Sequence, residues 1–186
     1  MQKICSLATL GILLVVILVS PVQADQTNPE LDQLFLLLQD SEDSSEAAAL
    51  TRKIWENWYQ TDDDTIKKLM EMGQLSMQQG KLDDAVKFFT KTIELQPDFS
   101  EGWNRRATVF YMMGEYELST LDIAATLNLE PRHFGALSGQ GMIYTMLDNR
   151  DQALKYYEKA LQYNPHLPGV KRSVELIRKS IEKEVI

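Results

Sequence analysis

Two histidines, a tandem pair of arginines, two acidic runs and a glycine-rich stretch are the residues of this sequence whose types invite chemistry. His133 and His166 closely follow Pro131 and Pro165, so they belong at equivalent corners of the fold. A metal pair would need further histidine or carboxylate ligands converging on both. The sequence offers none at that spacing, and both read as exposed loop residues. Asp62, Asp63 and Asp64 precede a helical pattern, where carboxylates cap free amides and oppose the helix dipole. Like Asp83 and Asp84, they lack the alternating ligand spacing and the glycine of a calcium loop. Gly135, Gly139 and Gly141 fall inside a helical pattern and not at the strand-to-helix turn of a phosphate loop. The single cysteine, Cys5, lies in an apolar leader. No nucleophile–base pair or metal cluster emerges, so the reading is of a protein that is not an enzyme and needs no cofactor.

The leader itself occupies residues 1–24. Lys3 supplies a positive start, Ile4 to Val19 is almost wholly apolar, and Val22 and Ala24 are the small residues of a cleavage region. That order is a secretory signal peptide. Its apolar run of 16 residues is shorter than the roughly 20 a spanning helix needs, which disfavours a retained anchor. Removal of the leader takes away the only thiol, and with it any disulfide, thiolate metal site or cysteine nucleophile. The expected location is the periplasm, reached through the inner membrane. The 186-residue chain carries a net charge of −8. Such a surface repels nucleic acid and anionic lipid, so nucleic acid and, once the leader is gone, membrane are excluded as partners.

The elements that position the remaining polar residues follow from a 34-residue period. Pro97, Pro131 and Pro165 each close an apolar helical run. Twelve residues before each proline stand Ala85, Ser119 and Ala153. Eight before stand Phe89, Ile123 and Tyr157. At 24 and 28 before stand Gly73, Ala107, Gly141 and Leu69, Trp103, Leu137. Many positions repeating at one period resemble the tetratricopeptide (TPR) repeat family over three repeats, about 66–99, 100–133 and 134–167. Thr92 and Thr126 depart from the family's alanine, and Asp148 from its turn glycine. The runs Trp103–Thr108 and Pro131–Gly139 further resemble small exported repeat proteins of proteobacteria.

The resemblance implies an all-α fold, a solenoid of antiparallel helix pairs. Gly73, Ala107 and Gly141 are expected at the closest approach of the two helices, opposite Ala85, Ser119 and Ala153. Phe89 and Tyr157 should fill the gap toward the next repeat. Gly80 and Gly114 permit the tight turns, and Gly102 is placed peripherally, at the start of a helix. Residues 168–186 form a capping helix with a stripe of Val170, Val174, Ile177 and Ile181. Residues 25–65 hold an N-terminal helix pair, read as a degenerate fourth repeat.

First helices line the concave face in this family, which places Lys67, Met70, Gln74 and Met77 inward, with Glu101, Asn104, Thr108 and Tyr111, and Gly135, Ser138, Met142 and Thr145. The lining does not reproduce the Lys–Asn–Asn–Lys–Arg pattern with which one subfamily clamps a C-terminal carboxylate. Arg106 and Asp122 are expected to pair within a repeat, which leaves Arg105 as the freer cation. The function expected is a module that binds a protein or extended peptide in its groove, serving envelope protein assembly as a scaffold. The binding residues named by this reading are Met70, Gln74, Asn104, Arg105, Thr108, Tyr111, Ser138 and Met142. The alternative is a homo-oligomer assembled through Phe35, Trp55, Trp58 and Tyr59 of the N-terminal pair.

Overall fold

In a computed structural model that describes residues 29–184, the chain forms nine helices and, among the described residues, no strand. The expected signal peptide, residues 1–24, lies outside the described residues. The helices are α1 (Pro29–Asp40), α2 (Ser44–Tyr59), α3 (Asp64–Gln78), α4 (Leu82–Leu95), α5 (Ser100–Met113), α6 (Tyr116–Leu129), α7 (Phe134–Met146), α8 (Arg150–Tyr163) and α9 (Pro168–Glu184).

Local chemistry sets the boundaries. Asp63 caps α3, its carboxylate accepting the N–H groups of Thr65 (2.7 Å) and Ile66 (3.2 Å). Those bonds hold the exposed Asp63 carboxyl below the usual carboxylate range. A residue before proline is pushed out of the helical region. Accordingly α4, α6 and α8 stop at Gln96, Glu130 and Asn164, whose φ values are −137°, −133° and −132°. The turns after α3 and α5 use left-handed glycines, Gly80 at φ 71° and Gly114 at φ 80°. Asp148 takes the same conformation at φ 53° in the third turn.

Helices α3 to α9 pack consecutively, each against the next, as an α-solenoid. In the first and third repeats the small residue meets the aromatic eight before the proline. A Cβ on Gly73 would lie 2.5 Å from the Phe89 ring, and one on Gly141 would lie 2.6 Å from the Tyr157 ring. These aromatics thus fill their own repeat first. Phe89 also shares a core with Phe99 and with Val109 of the next repeat. Ser119 uses its small size differently, donating its hydroxyl to the Ala107 carbonyl at 2.8 Å. Thr92 and Thr126 are buried and donate to the carbonyls of Phe88 and Asp122 one turn back. Gly102 is not peripheral: it is buried, and a Cβ there would meet Thr92 Cγ2 at 3.1 Å. Helix α9 covers Ala153 and Tyr157 with Val174 and Ile177.

The N-terminal pair departs from the expected degenerate repeat. Helices α1 and α2 do not stack ahead of α3. They fold back across the solenoid, and Leu31, Phe35, Leu38, Ile54 and Trp58 form one core with Phe134 and Leu137 of α7 and Ala160 of α8. Polar contacts fix the return: Asn164 donates to Thr51 (3.1 Å), Gln39 to the Gln162 carbonyl (3.3 Å), and Arg132 to Asp32. The physical reason lies at Gln39, which stands 34 residues before Gly73, where a repeat needs its smallest residue. A long side chain does not suit that position of a repeat, and here it lies exposed with its amide on the Gln162 carbonyl, while the aromatic face of the pair is buried on α7 and α8.

Candidate functional site

Because α3, α5 and α7 run parallel in consecutive repeats, their inward residues share one face. Helix α2 lies over one half of it, the half built from the first turns of α5 and α7. Trp55 and Trp58 sit edge-on with ring centroids 5.2 Å apart. The Trp55 ring presses on Gly135, where an added Cβ would be 2.6 Å from Trp55 Cη2. Trp58 is 2% exposed and stacks on His133 at 4.1 Å and 10°.

Beneath this lid lies a buried charged centre. Glu101 is fully buried. Its Oε1 accepts from Arg105 Nε at 2.7 Å, and its Oε2 accepts from Asn104 Nδ2 at 3.0 Å. His133 Nε2 stands 3.0 Å from the same Oε2, while His133 Nδ1 accepts the Ala136 N–H at 3.1 Å. The imidazole is therefore assigned as the Nε2–H tautomer, donating to Glu101 and capping α7. Burial raises the Glu101 carboxyl above its usual range, against the lowering effect of His133 and Asn104. Burial likewise pulls the Arg105 guanidinium down to about 10. Arg105 also lies 4.8 Å over the Tyr59 ring and donates to Gln74 at 3.4 Å. Arg106 makes the expected pair, a two-pronged bond to Asp122 at 2.7 and 2.8 Å, and adds Thr90 at 3.0 Å.

These contacts change the expected roles of several residues. His133 is a buried cap and not an exposed loop residue. Glu101 is a structural anion and not part of the groove lining. Arg105 is no freer than Arg106, because Glu101 holds it. Asn104 is 7% exposed with its amide committed to Glu101, and Met70 is chiefly core with Ile66 and Phe89. Phe35 and Trp58 are buried inside the chain, and Trp55 and Tyr59 are partly so. The aromatic face proposed for self-association is consumed intramolecularly. One sequence signal for the buried centre was available: Glu101 and Arg105 stand at i, i+4, where helical side chains meet. His133, 32 residues away, had none.

The other half of the concave face stays open. Between α5 and α7 is a slot of about 160 Å³ lined by Asn104, Ala107, Thr108, Tyr111, Ser138, Gly139 and Met142, among others. Between α2 and α3 is a second recess of about 370 Å³, bordered by Tyr59, Lys67, Met70, Glu71, Gln74 and Leu75. The structure thus brings Asn104, Thr108, Tyr111, Ser138 and Met142 together in one recess and Met70 and Gln74 in the other. Arg105 lines neither. The Thr108 and Ser138 hydroxyls donate to carbonyls one turn back, at 2.9 and 2.6 Å. Met142 is 42% exposed at the slot. Among the described residues no three histidine, cysteine, aspartate or glutamate side chains are placed to hold a metal ion, and no helix is long and apolar enough to cross a membrane.

Comparison with known proteins agrees with this architecture. Tetratricopeptide repeat models match residues 69–99 and 135–167. A TPR repeat-containing protein of Rhizobium etli is 38% identical over 135 residues, covering 73% of this chain and 66% of that protein. Hsp70-Hsp90 organizing protein 2 of Arabidopsis thaliana is 27% identical over 59% of this chain, a match that spans 20% of its own length. Among solved structures, the first TPR of Spaghetti (RPAP3) bound to the HSP90 peptide SRMEEVD superposes with a TM-score of 0.61 at 22% identity, covering 67% of this chain and 98% of that one. The type III secretion translocator chaperone SycD of Yersinia enterocolitica gives 0.62 at 18% identity, covering 65% and 97%.

Proposed function

The chain belongs to the tetratricopeptide repeat family, and from that premise we propose that it is a non-enzymatic module that binds a segment of another protein in the open half of its concave groove. The fold suits protein and peptide binding, and a structural neighbour holds a peptide. The observation that carries the reading is the asymmetry of the concave face. Helix α2 covers one half, while two recesses remain in the other, with Tyr111 and Met142 at the slot. Tyrosine offers a flat ring with little rotamer entropy to lose, and methionine repacks around varied side chains.

The same proposal places the protein in the periplasm, in envelope protein assembly. The order of Lys3, the apolar run and Ala24 supports export with removal of residues 1–24. N-terminal sequencing of the exported protein should then begin at Asp25, and recovery of an intact Met1 would count against export with cleavage. For the groove, Tyr111→Ala combined with Met142→Ala should melt within a few degrees of the parent protein and lose bound partners in a pulldown from envelope extract. Full partner recovery by the double variant would move the site off the concave face.

A further inference from the structure

Helix α7 carries three glycines, and packing explains only two. A Cβ on Gly135 would strike Trp55 and one on Gly141 would strike Tyr157, each at 2.6 Å. Gly139 has no such neighbour. The nearest atom to an added Cβ is Ile123 Cδ1 at 3.6 Å, an ordinary van der Waals distance, and the backbone is helical with no positive φ. Alanine would fit, and glycine in a helix interior is the weaker choice. What glycine leaves in its place is room, because Gly139 lines the α5–α7 slot.

The slot has the size and character of a side-chain receptor. Its volume is about 160 Å³, and apolar cavities of about 150 Å³ accept benzene, so a leucine, methionine or phenylalanine side chain fits. No charged residue lines it. Its polar groups are largely committed within the chain, Asn104 to Glu101, Thr108 and Ser138 to backbone carbonyls. What remains is an apolar wall of Ala107, Ile123, Ala136 and Met142 beside the Tyr111 ring. Arg105, next to the slot residue Asn104, is already matched by Glu101. Glu71 stands exposed at the α2–α3 recess, and the chain as a whole carries a net charge of −8. An acidic segment meets repulsion here and a basic one does not.

Resting on the groove reading above, we propose that the α5–α7 slot is a subsite for one large apolar side chain of a partner segment with cationic flanking residues, and that Gly139 determines specificity by keeping it open. The test uses the full chain and three fluorescein-labelled, C-terminally amidated peptides of equal length. One has a central leucine among lysines and serines, one replaces that leucine with serine, and one replaces the lysines with glutamates. Anisotropy titration should show the lysine–leucine peptide binding at least roughly tenfold more tightly than the serine peptide, the scale of burying one leucine side chain, and more tightly than the glutamate peptide, which the acidic chain repels. Gly139→Val should remove most of the leucine preference. Gly139→Ala should reduce it while raising the melting temperature, since alanine favours the helix. Equal affinity for the leucine and serine peptides, an undiminished preference in both Gly139 variants, or no measurable binding of the lysine–leucine peptide would each overturn the subsite. If peptides bind without leucine preference but Tyr111→Ala weakens them, only the subsite falls. If neither Tyr111→Ala nor Met142→Ala alters binding, the groove reading falls with it.

Discussion

Replacing Arg105 with methionine isolates the buried charge centre. Methionine keeps much of the side chain's length and apolar contact, and removes the guanidinium that bonds Glu101 at 2.7 Å and lies over Tyr59 at 4.8 Å. Glu101 is fully buried, so it then keeps only Asn104 and His133 as partners. Stranding one member of a buried ion pair costs about 3–5 kcal/mol. Because the Arg105 side chain is 22% exposed and water can reach the gap, the lower end, about 3 kcal/mol, is the expected loss. For a chain of this size that lowers the melting temperature by roughly 6–12 °C, measured by circular dichroism at pH 7. Adding Glu101→Gln removes the stranded charge and should restore at least half of the loss. The pH dependence carries a definite sign. Burial already raises the Glu101 carboxyl, so the folded state holds that proton more tightly than the unfolded chain. Its contribution to stability is therefore greatest below the unfolded value and is lost as pH rises through the folded one. Arg105→Met should accordingly narrow its deficit relative to the parent protein on going from pH 7 to pH 5, and the double variant should not. A single variant melting within about 1 °C of the parent at pH 7, well inside the predicted drop, would refute the buried-pair argument.

Two further substitutions test the packing. Gly135→Ala places a methyl group against the Trp55 ring, which is wedged between Trp58, His133 and Phe134. It should cost about 1–3 kcal/mol and shift tryptophan emission to longer wavelength as α2 loosens, and an unchanged spectrum and midpoint would mean that α2 does not lie there. Arg106→Met strands Asp122, which is 4% exposed and held by two bonds. Thermal melts should show a loss of about 3 kcal/mol or more, partly recovered by adding Asp122→Leu, and a double variant no better than the worse single would contradict the pair.

The solenoid was legible because its rules are local and repeated. Pro97, Pro131 and Pro165 end helices wherever they occur, Gly80 and Gly114 turn the chain, and a glycine facing an aromatic recurs in each outer repeat. The Arg106–Asp122 pair could be read for the same reason, since both residues stand at fixed places within one repeat. The fold-back of α1 and α2 was not legible in this way. An amphipathic pair must bury its face, but nothing in its own residues names the surface, and the contacts that decide it join residues 72 to 123 positions apart. Gln39 at the small-residue position was the available warning. Misplacing α2 carried further errors: without Trp58 overhead His133 seems exposed, and without the lid Glu101 and Arg105 seem to belong to an open groove. Of the inward positions, Met70, Glu101, Asn104 and Gly135 are thus taken up by packing or the buried charge centre, while Tyr111, Ser138 and Met142 line the α5–α7 slot.

Photocrosslinking in intact cells tests the groove most directly. A photoreactive phenylalanine analogue would be placed, one site at a time, at Met142 and Leu75 in the open half, at Leu36 on the outer face of α1, and at Leu121 on α6; all four side chains are exposed. The account predicts that positions 142 and 75 capture the same partner and that 36 and 121 do not. Capture from 36 or 121 with none from 142 or 75 would contradict it.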